Sequence, residues 1–329
     1  MKHPTRNRGL IITLALLALL SVVGLVLYLR AKAPPDAARL LPESDAIVFF
    51  QLKTLRAATH FDRQPITRSA DFARFIAATG IEPERDIDSA AFALHRMPDP
   101  HGPNGPVAYS EVFTGHFDGQ RLTSYLASIA TARETYDDHE IFSIPIDGRT
   151  LRVAQLGYDT IAASNMPTTE QIHSMLDRWR ASGIGTPGSS LLARRYHDVP
   201  LLSQAWGIGR IGLPFAQDGK ITLFGLELPI SSDTELVASL RFQGKVQLRV
   251  EDFAHSDDEA RTTADAMNTM LNLARGLTGA TPQQDAPAVA VRDLLNTSTV
   301  EQKGSQATLT ATASLEQLKA LANVSTAAQ

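Results

Sequence analysis

The densest grouping of chemically capable side chains is Asp137-Asp138-His139-Glu140, three carboxylates and an imidazole in four consecutive positions. Carboxylate oxygens suit hard divalent cations, and an imidazole beside a carboxylate moves protons near neutral pH. Asp137, Asp138 and His139 are therefore the candidate cation ligands. A polar turn accounts for the same residues, because Asp favours turns and a strand is expected over 140–146. A second cluster runs from Glu251 through Asp252, His255, Ser256, Asp257 and Asp258 to Glu259. Ser256 and Glu259 have the S-x-x-E spacing of a capping box, and Asp257 and Asp258 fall where negative charge meets the positive end of a helix dipole. That helix start explains most of the charge without a metal.

Gly207-Ile208-Gly209-Arg210-Ile211-Gly212 spells G-x-G-x-x-G. The chemistry behind that spacing needs a strand before it and a helix after it, so that the helix N-terminus faces a pyrophosphate. Leu213-Pro214 and a polar turn at 217–220 follow instead, so a glycine-rich strand is expected and no cofactor. The nine histidines form no H-E-x-x-H, and there is no G-x-S-x-G elbow for a serine nucleophile. Tyr196 and Trp206 bracket an apolar segment with two readings: aromatic side chains packed in a core, or a surface for a ligand or partner.

The elements that must position these residues follow from periodicity. Asp45–Leu52 is a short apolar strand after Pro42, and 69–79 a helix with Phe72, Phe75 and Ile76 on one face, ended by Gly80. Strands at 90–96 and 107–117 precede a helix at 119–132; strands at 140–146 and 150–164 flank the turn pair Asp147-Gly148, and a helix at 169–181 closes the series. The order then repeats: strands 235–242 and 245–253, a helix at 257–275, strands 294–302 and 306–313 around Lys303-Gly304, and a helix at 315–322. The helix at 257–275 carries Ala260, Ala264, Met267 and Leu271 on one face and leaves Thr263 outside it. The fold class is α+β: two related β-β-α-β-β-α units with antiparallel sheets, at 40–182 and 189–323, each with its helices on one sheet face. The join lies near the Gly/Pro/Ser stretch from Gly183 to Ser190, and 324–329 is a tail.

Location comes from the N-terminus. Residues 10–29 carry no charge and include nine leucines, and Lys2, Arg6 and Arg8 precede them. Twenty helical residues rise about 30 Å, the thickness of a bilayer hydrocarbon core, so 10–30 reads as a transmembrane helix between a cytoplasmic tail at 1–9 and a Pro/Ala linker at 31–39. The run exceeds a signal-peptide core, and Pro34 follows the one small-x-small site, Ala31-Lys32-Ala33, so retention as an anchor is expected. Basic residues hold the N-terminus in the cytoplasm and place the bulk outside, in the periplasm of a bacterial cell. The chain has no cysteine, hence no disulfide, thiolate metal site or lipidated-cysteine anchor. A net charge of -4 without a basic stripe argues against nucleic acid as a partner.

The chain resembles uncharacterised bacterial single-pass membrane-anchored proteins whose ectodomain opens with a phrase such as Leu41-Pro42-Glu43-Ser44-Asp45-Ala46 leading into a strand. Phe113-Thr-Gly-His-Phe-Asp-Gly-Gln-Arg-Leu122 and Tyr158-Asp-Thr-Ile-Ala-Ala-Ser-Asn-Met-Pro167 carry the likeness further. The resemblance implies architecture and location, and no activity. The functional expectation is a membrane-anchored periplasmic protein that binds or scaffolds another envelope protein without catalysis. The alternative is a periplasmic hydrolase whose Asp/His site is assembled from distant residues.

Overall fold

Alternating side chains along twelve short segments build one antiparallel sheet. The computed structural model describes residues 20–24, 32–63, 68–102, 104–182, 188–210, 216–217, 220–223, 226–231, 234–280, 286–318 and 320. In chain order the strands are β1 Ala46–Phe50, β2 Ile87–Arg96, β3 Val107–Gly115, β4 Ala132–Tyr136, β5 His139–Ile146, β6 Arg149–Gln155, β7 Thr160–Ser164, β8 Ala205–Gly209, β9 Ala216–Gln217, β10 Lys220–Leu223, β11 Leu226–Ser231, β12 Glu235–Phe242, β13 Val246–Phe253, β14 Thr299–Lys303 and β15 Gln306–Ala313. The large sheet runs β14-β15-β13-β12-β8-β1-β2-β3-β7-β6-β5-β4, and β9 to β11 form a separate three-stranded sheet.

The chain divides into Met1–Pro35 and Asp36–Gln329. In the first, 20–24 are helical and exposed, and the rest of the expected span at 10–30 lies outside the described residues. Among the described residues no helix is long and apolar enough to cross a membrane. The second unit starts earlier than the linker expected at 31–39 allows. Asp36–Leu40 is a helix with Ala37, Ala38 and Leu40 buried, because its small apolar side chains fit against the sheet.

From the β1–β8 pair outward the strand order is β1-β2-β3-β7-β6-β5-β4 on one side and β8-β12-β13-β15-β14 on the other, so the first five strands on each side correspond and β5 and β4 extend the first. β1 and β8 meet antiparallel, with Val48 opposite Gly207. The join between the halves is thus a strand pair within one sheet. The element order departs from β-β-α-β-β-α, with β9 to β11 and the short helices Leu52–Thr59 and Ser190–Arg195 added and three expected elements changed. Ala132–Tyr136 is an extra edge strand, almost wholly exposed and therefore without the apolar alternation that marks a buried one. The stretch 150–164 is two strands folded back at 156–159. Leu294 and Leu295 end a helix, Ala286–Thr297, which has Pro287 in its first turn.

Both sheet faces are apolar in the first half, since neighbours such as Ile141 and Phe142 or Val153 and Ala154 point opposite ways. One face carries the main core: Ile47, Phe49, Val112, Ala162, Trp206 and Ile208 lie beneath the helices Asp36–Leu40, Glu170–Ala181 and Ser190–Arg195. The other face buries Leu122 and Leu126 of the helix Gly119–Ile129 against Phe142, Ile144 and Val153. The helices 119–129 and 170–181 therefore sit on opposite faces, where the sequence predicts one face. Helices 257–280 and 286–297 pack on β14 and β15.

Glu43 ties the opening phrase to this core. Its carboxylate accepts from the Ser190 hydroxyl at 2.6 Å, the Ser190 N–H at 3.0 Å and Arg178 at 3.1 Å. Burial by itself would raise that carboxyl, but these donors outweigh it and hold it below its ordinary value.

Candidate functional site

Asp137 and Asp138 form the two-residue turn between β4 and β5, with Tyr136 paired to His139 and φ values of 48° and 62°. Two successive left-handed residues define the type I′ hairpin turn, and Asp tolerates that conformation better than bulkier residues do. The acidic pair is in this sense turn chemistry. The Asp137 carboxylate also accepts from Arg180 Nη1 at 2.6 Å.

His139 has Nδ1 at 2.7 Å from the Asp137 carbonyl and Nε2 at 3.2 Å from the Leu156 carbonyl. A carbonyl oxygen only accepts and a neutral imidazole carries one N–H, so in the neutral ring one of these two contacts is a hydrogen bond, and the tautomer decides which. Asp137, Asp138 and His139 are neighbours as the sequence predicts, yet Asp137 is held by an arginine and His139 by backbone. Among the described residues no three His, Asp or Glu side chains converge as a metal site would need.

The same hairpin does form one wall of a cleft. A space of about 350 Å³ is lined by Asp138, His139, Glu140, Thr123, Gln155 and Tyr158, with Phe142 at its base. It adjoins a second space of about 440 Å³ along Gly119, Gln120 and Ser124 in the first turns of the helix Gly119–Ile129. That helix begins at Asp118, whose side chain accepts from the Arg121 N–H at 3.1 Å. Gln155 is fixed by donating to the Gly157 carbonyl at 2.9 Å. A Cβ at position 119 would press on the Gln155 amide, so glycine there keeps the wall open. Tyr158, 94% exposed, stands at the mouth. Thr123, Gln155 and Tyr158 carry no spacing signal: the β6–β7 fold-back sets Tyr158 beside Gln155, and the packing of the helix Gly119–Ile129 on β5 and β6 brings Thr123 to them.

Such a wall can accept and donate hydrogen bonds to a polar ligand and offer it an aromatic edge. Among the described residues that line the cleft, no imidazole or carboxylate is hydrogen-bonded to a hydroxyl.

Trp206 lies in the interior, and Tyr196 is half-buried against it. Trp206 is 3% exposed, stacks on Phe49 and meets Tyr196 edge-on at 5.2 Å, and burial pushes the Tyr196 hydroxyl above its ordinary value. Trp206 accordingly presents no surface to a ligand. The glycine motif begins in β8. Gly209 has φ +96°, and a Cβ there would collide with the Asp45 carbonyl and approach Leu191 Cδ2 to 2.8 Å. Close strand packing accounts for this glycine, and 211–215 lie outside the described residues. Half of the capping box forms: Ser256 Oγ accepts from Glu259 N–H at 3.1 Å, while Glu259 Oε2 reaches back to His255 N–H at 3.0 Å, one residue before the cap.

One further group has the residue types of a hydrolase. His95 Nε2 lies 2.9 Å from Ser110 Oγ, which lies 3.1 Å from Ser164 Oγ. With His95, Ser110 and Ser164 exposed by 6%, 0% and 1%, no substrate reaches them, and the ladder is a buried cross-strand link. Burial holds His95 below its ordinary value, with Asp45 acting weakly the other way.

No protein-family model and no curated protein matches the chain. Among solved structures it is similar to TP0453 in three crystal forms, III, IV and I, at 9%, 10% and 10% identity and TM-scores of 0.48, 0.47 and 0.44. The matches cover 88%, 89% and 88% of this chain and 98% of each TP0453 chain. At these scores the likeness says nothing about function.

Proposed function

We propose that this is a single-pass membrane-anchored protein of the bacterial periplasm that binds a partner in the cell envelope without catalysis. The observation that carries the binding reading is the open cleft beside β5 and β6, where the His139 ring lies between two backbone carbonyls, at 2.7 Å and 3.2 Å, and Tyr158 projects into solvent. Anchoring rests on the uncharged run at 10–29 behind Lys2, Arg6 and Arg8. The two halves are further proposed to be related units; the matching order of the first five strands outward from β1 and from β8 supports this.

A photo-crosslinking residue in place of Tyr158, in the full chain in cells, tests the binding role. A discrete adduct is expected there and not with the same residue in place of Leu202, which is exposed on a different loop. Hydrolysis of model esters or glycosides by the purified full chain, lost on His139→Ala, would overturn the proposal in favour of a hydrolase. A reporter active only in the cytoplasm, fused after Gln329, should be silent; strong activity would remove the topology.

A further inference from the structure

The two faces of the central strands are buried to different extents. On the core face, Ile47, Phe49, Ala91 and Val112 are at most 2% exposed. On the opposite face of the same strands Ala46, Ala90, Leu94 and Val107 are buried, while the larger Val48, Phe50, Phe92, Tyr109, Glu111 and Phe113 around them remain partly exposed, five of the six apolar or aromatic. The cause is where the helices stand. The helix 119–129 packs on β5 and β6, and the helix 257–280 on β14 and β15. The latter is on the same face as Glu111, because the Thr263 hydroxyl donates to Asp252, which shares that face through the pairings of β13, β12, β8, β1, β2 and β3. Two helical walls over the outer strands leave the middle as a trough.

One of these six residues carries a charge. Glu111 stands between Tyr109 and Phe113 on its own strand, opposite Phe92 in β2 and Ala163 in β7. Among the described residues no hydrogen bond or ion pair reaches its carboxylate, and burial alone pushes that carboxyl above its ordinary value. Phe50, Phe92 and Phe113 meet edge to face, at 6.2 Å and 5.8 Å between successive centroids, so their ring faces are presented at differing angles around it.

We infer that this trough binds a small molecule with an apolar body and one organic ammonium group, for which Glu111 is the counter-ion. A carboxylate in apolar surroundings is costly until a cation reaches it, and ring faces attract the same cation through their quadrupoles. An anion would be repelled. A bare divalent ion would find a single carboxylate, short of the six to eight oxygens that calcium takes. The aromatic floor then covers the apolar body.

The test uses the full chain in lipid nanodiscs, with empty nanodiscs subtracted, titrated calorimetrically with 4-phenylbutylammonium and with 4-phenylbutanol, its neutral analogue. The ammonium compound should bind about tenfold tighter than the alcohol. Glu111→Gln should erase that preference while leaving alcohol binding unchanged, and Phe92→Ala should weaken both. Equal affinity of the two probes, binding of neither, or a preference that survives Glu111→Gln would each overturn the inference. The comparison of the two probes on the unaltered chain stands even if a variant fails to fold.

Discussion

Phe49 of β1 stacks on Trp206 of β8 with ring centroids 5.4 Å apart and planes 25° from parallel, at directly opposed positions of the strand pair that joins the two halves of the sheet. The contact is fully inside the main core, with Tyr196 closing its edge. Trp206→Ala removes the largest side chain at this seam and should cost about 3 to 5 kcal/mol. A double-mutant cycle with Phe49→Leu, read by chemical denaturation, should show a coupling of about 0.5 to 1.5 kcal/mol. Additive effects would mean that the stack contributes burial alone.

Gly209 and Gly244 both have positive φ, +96° and +76°, but only the first is crowded. Gly244→Ala meets nothing within 4 Å and should cost about 1 to 2 kcal/mol for backbone conformation alone. Gly209→Ala adds a collision with the Asp45 carbonyl and with Ala46 Cα at 3.0 Å, and should cost about 3 kcal/mol or more. Equal denaturation midpoints for the two variants would contradict the packing role given to this glycine.

His95 makes stability depend on pH. Its folded value lies below the ordinary one, so the unfolded chain takes up the proton more readily. The contribution of neutral His95 is fully present above the ordinary histidine value of about 6.5 and is lost as pH falls from there toward the lower folded value. The stability difference between the parent chain and His95→Gln should therefore shrink between about pH 7 and pH 5. Glu111, Glu251 and Asp252, whose carboxyls are raised chiefly by burial, are common to both chains and cancel in the difference. A difference that is flat across this range would refute the assignment.

Thr263 corrects a helical-wheel expectation. Periodicity leaves it outside the apolar face, yet it is 7% exposed and its hydroxyl donates to Asp252, itself 1% exposed. Thr263→Asp would set a second carboxyl against a buried one and should destabilise by about 3 kcal/mol or more. Thr262→Asp, one position round on the exposed side, should change stability by no more than about 0.5 kcal/mol. Thermal melts of the two variants decide between the helix orientations.

Local structure was legible because local rules write it. The Ser256 helix cap, the Asp147-Gly148 turn with φ values of 49° and 76°, and the helices begun by Ser69 and Asp118 all follow from local rules within a few residues. So did the α+β class and the antiparallel alternation. The anchor too is a sequence-level proposal, since a bilayer is matched by twenty uncharged residues whatever follows them. Pairing was not legible. Any antiparallel edge satisfies the backbone of another, so nothing near Val48 announces Gly207 as its partner 159 positions later. Burial could not be read either. Phe49 and Phe50 look alike in the sequence, and only the placement of helices over one face and over the margins of the other decides that Phe49 is core while Phe50 lines a trough. The charge of Glu111 acquires its meaning in the same way, from neighbours that the sheet, and not the chain, puts beside it.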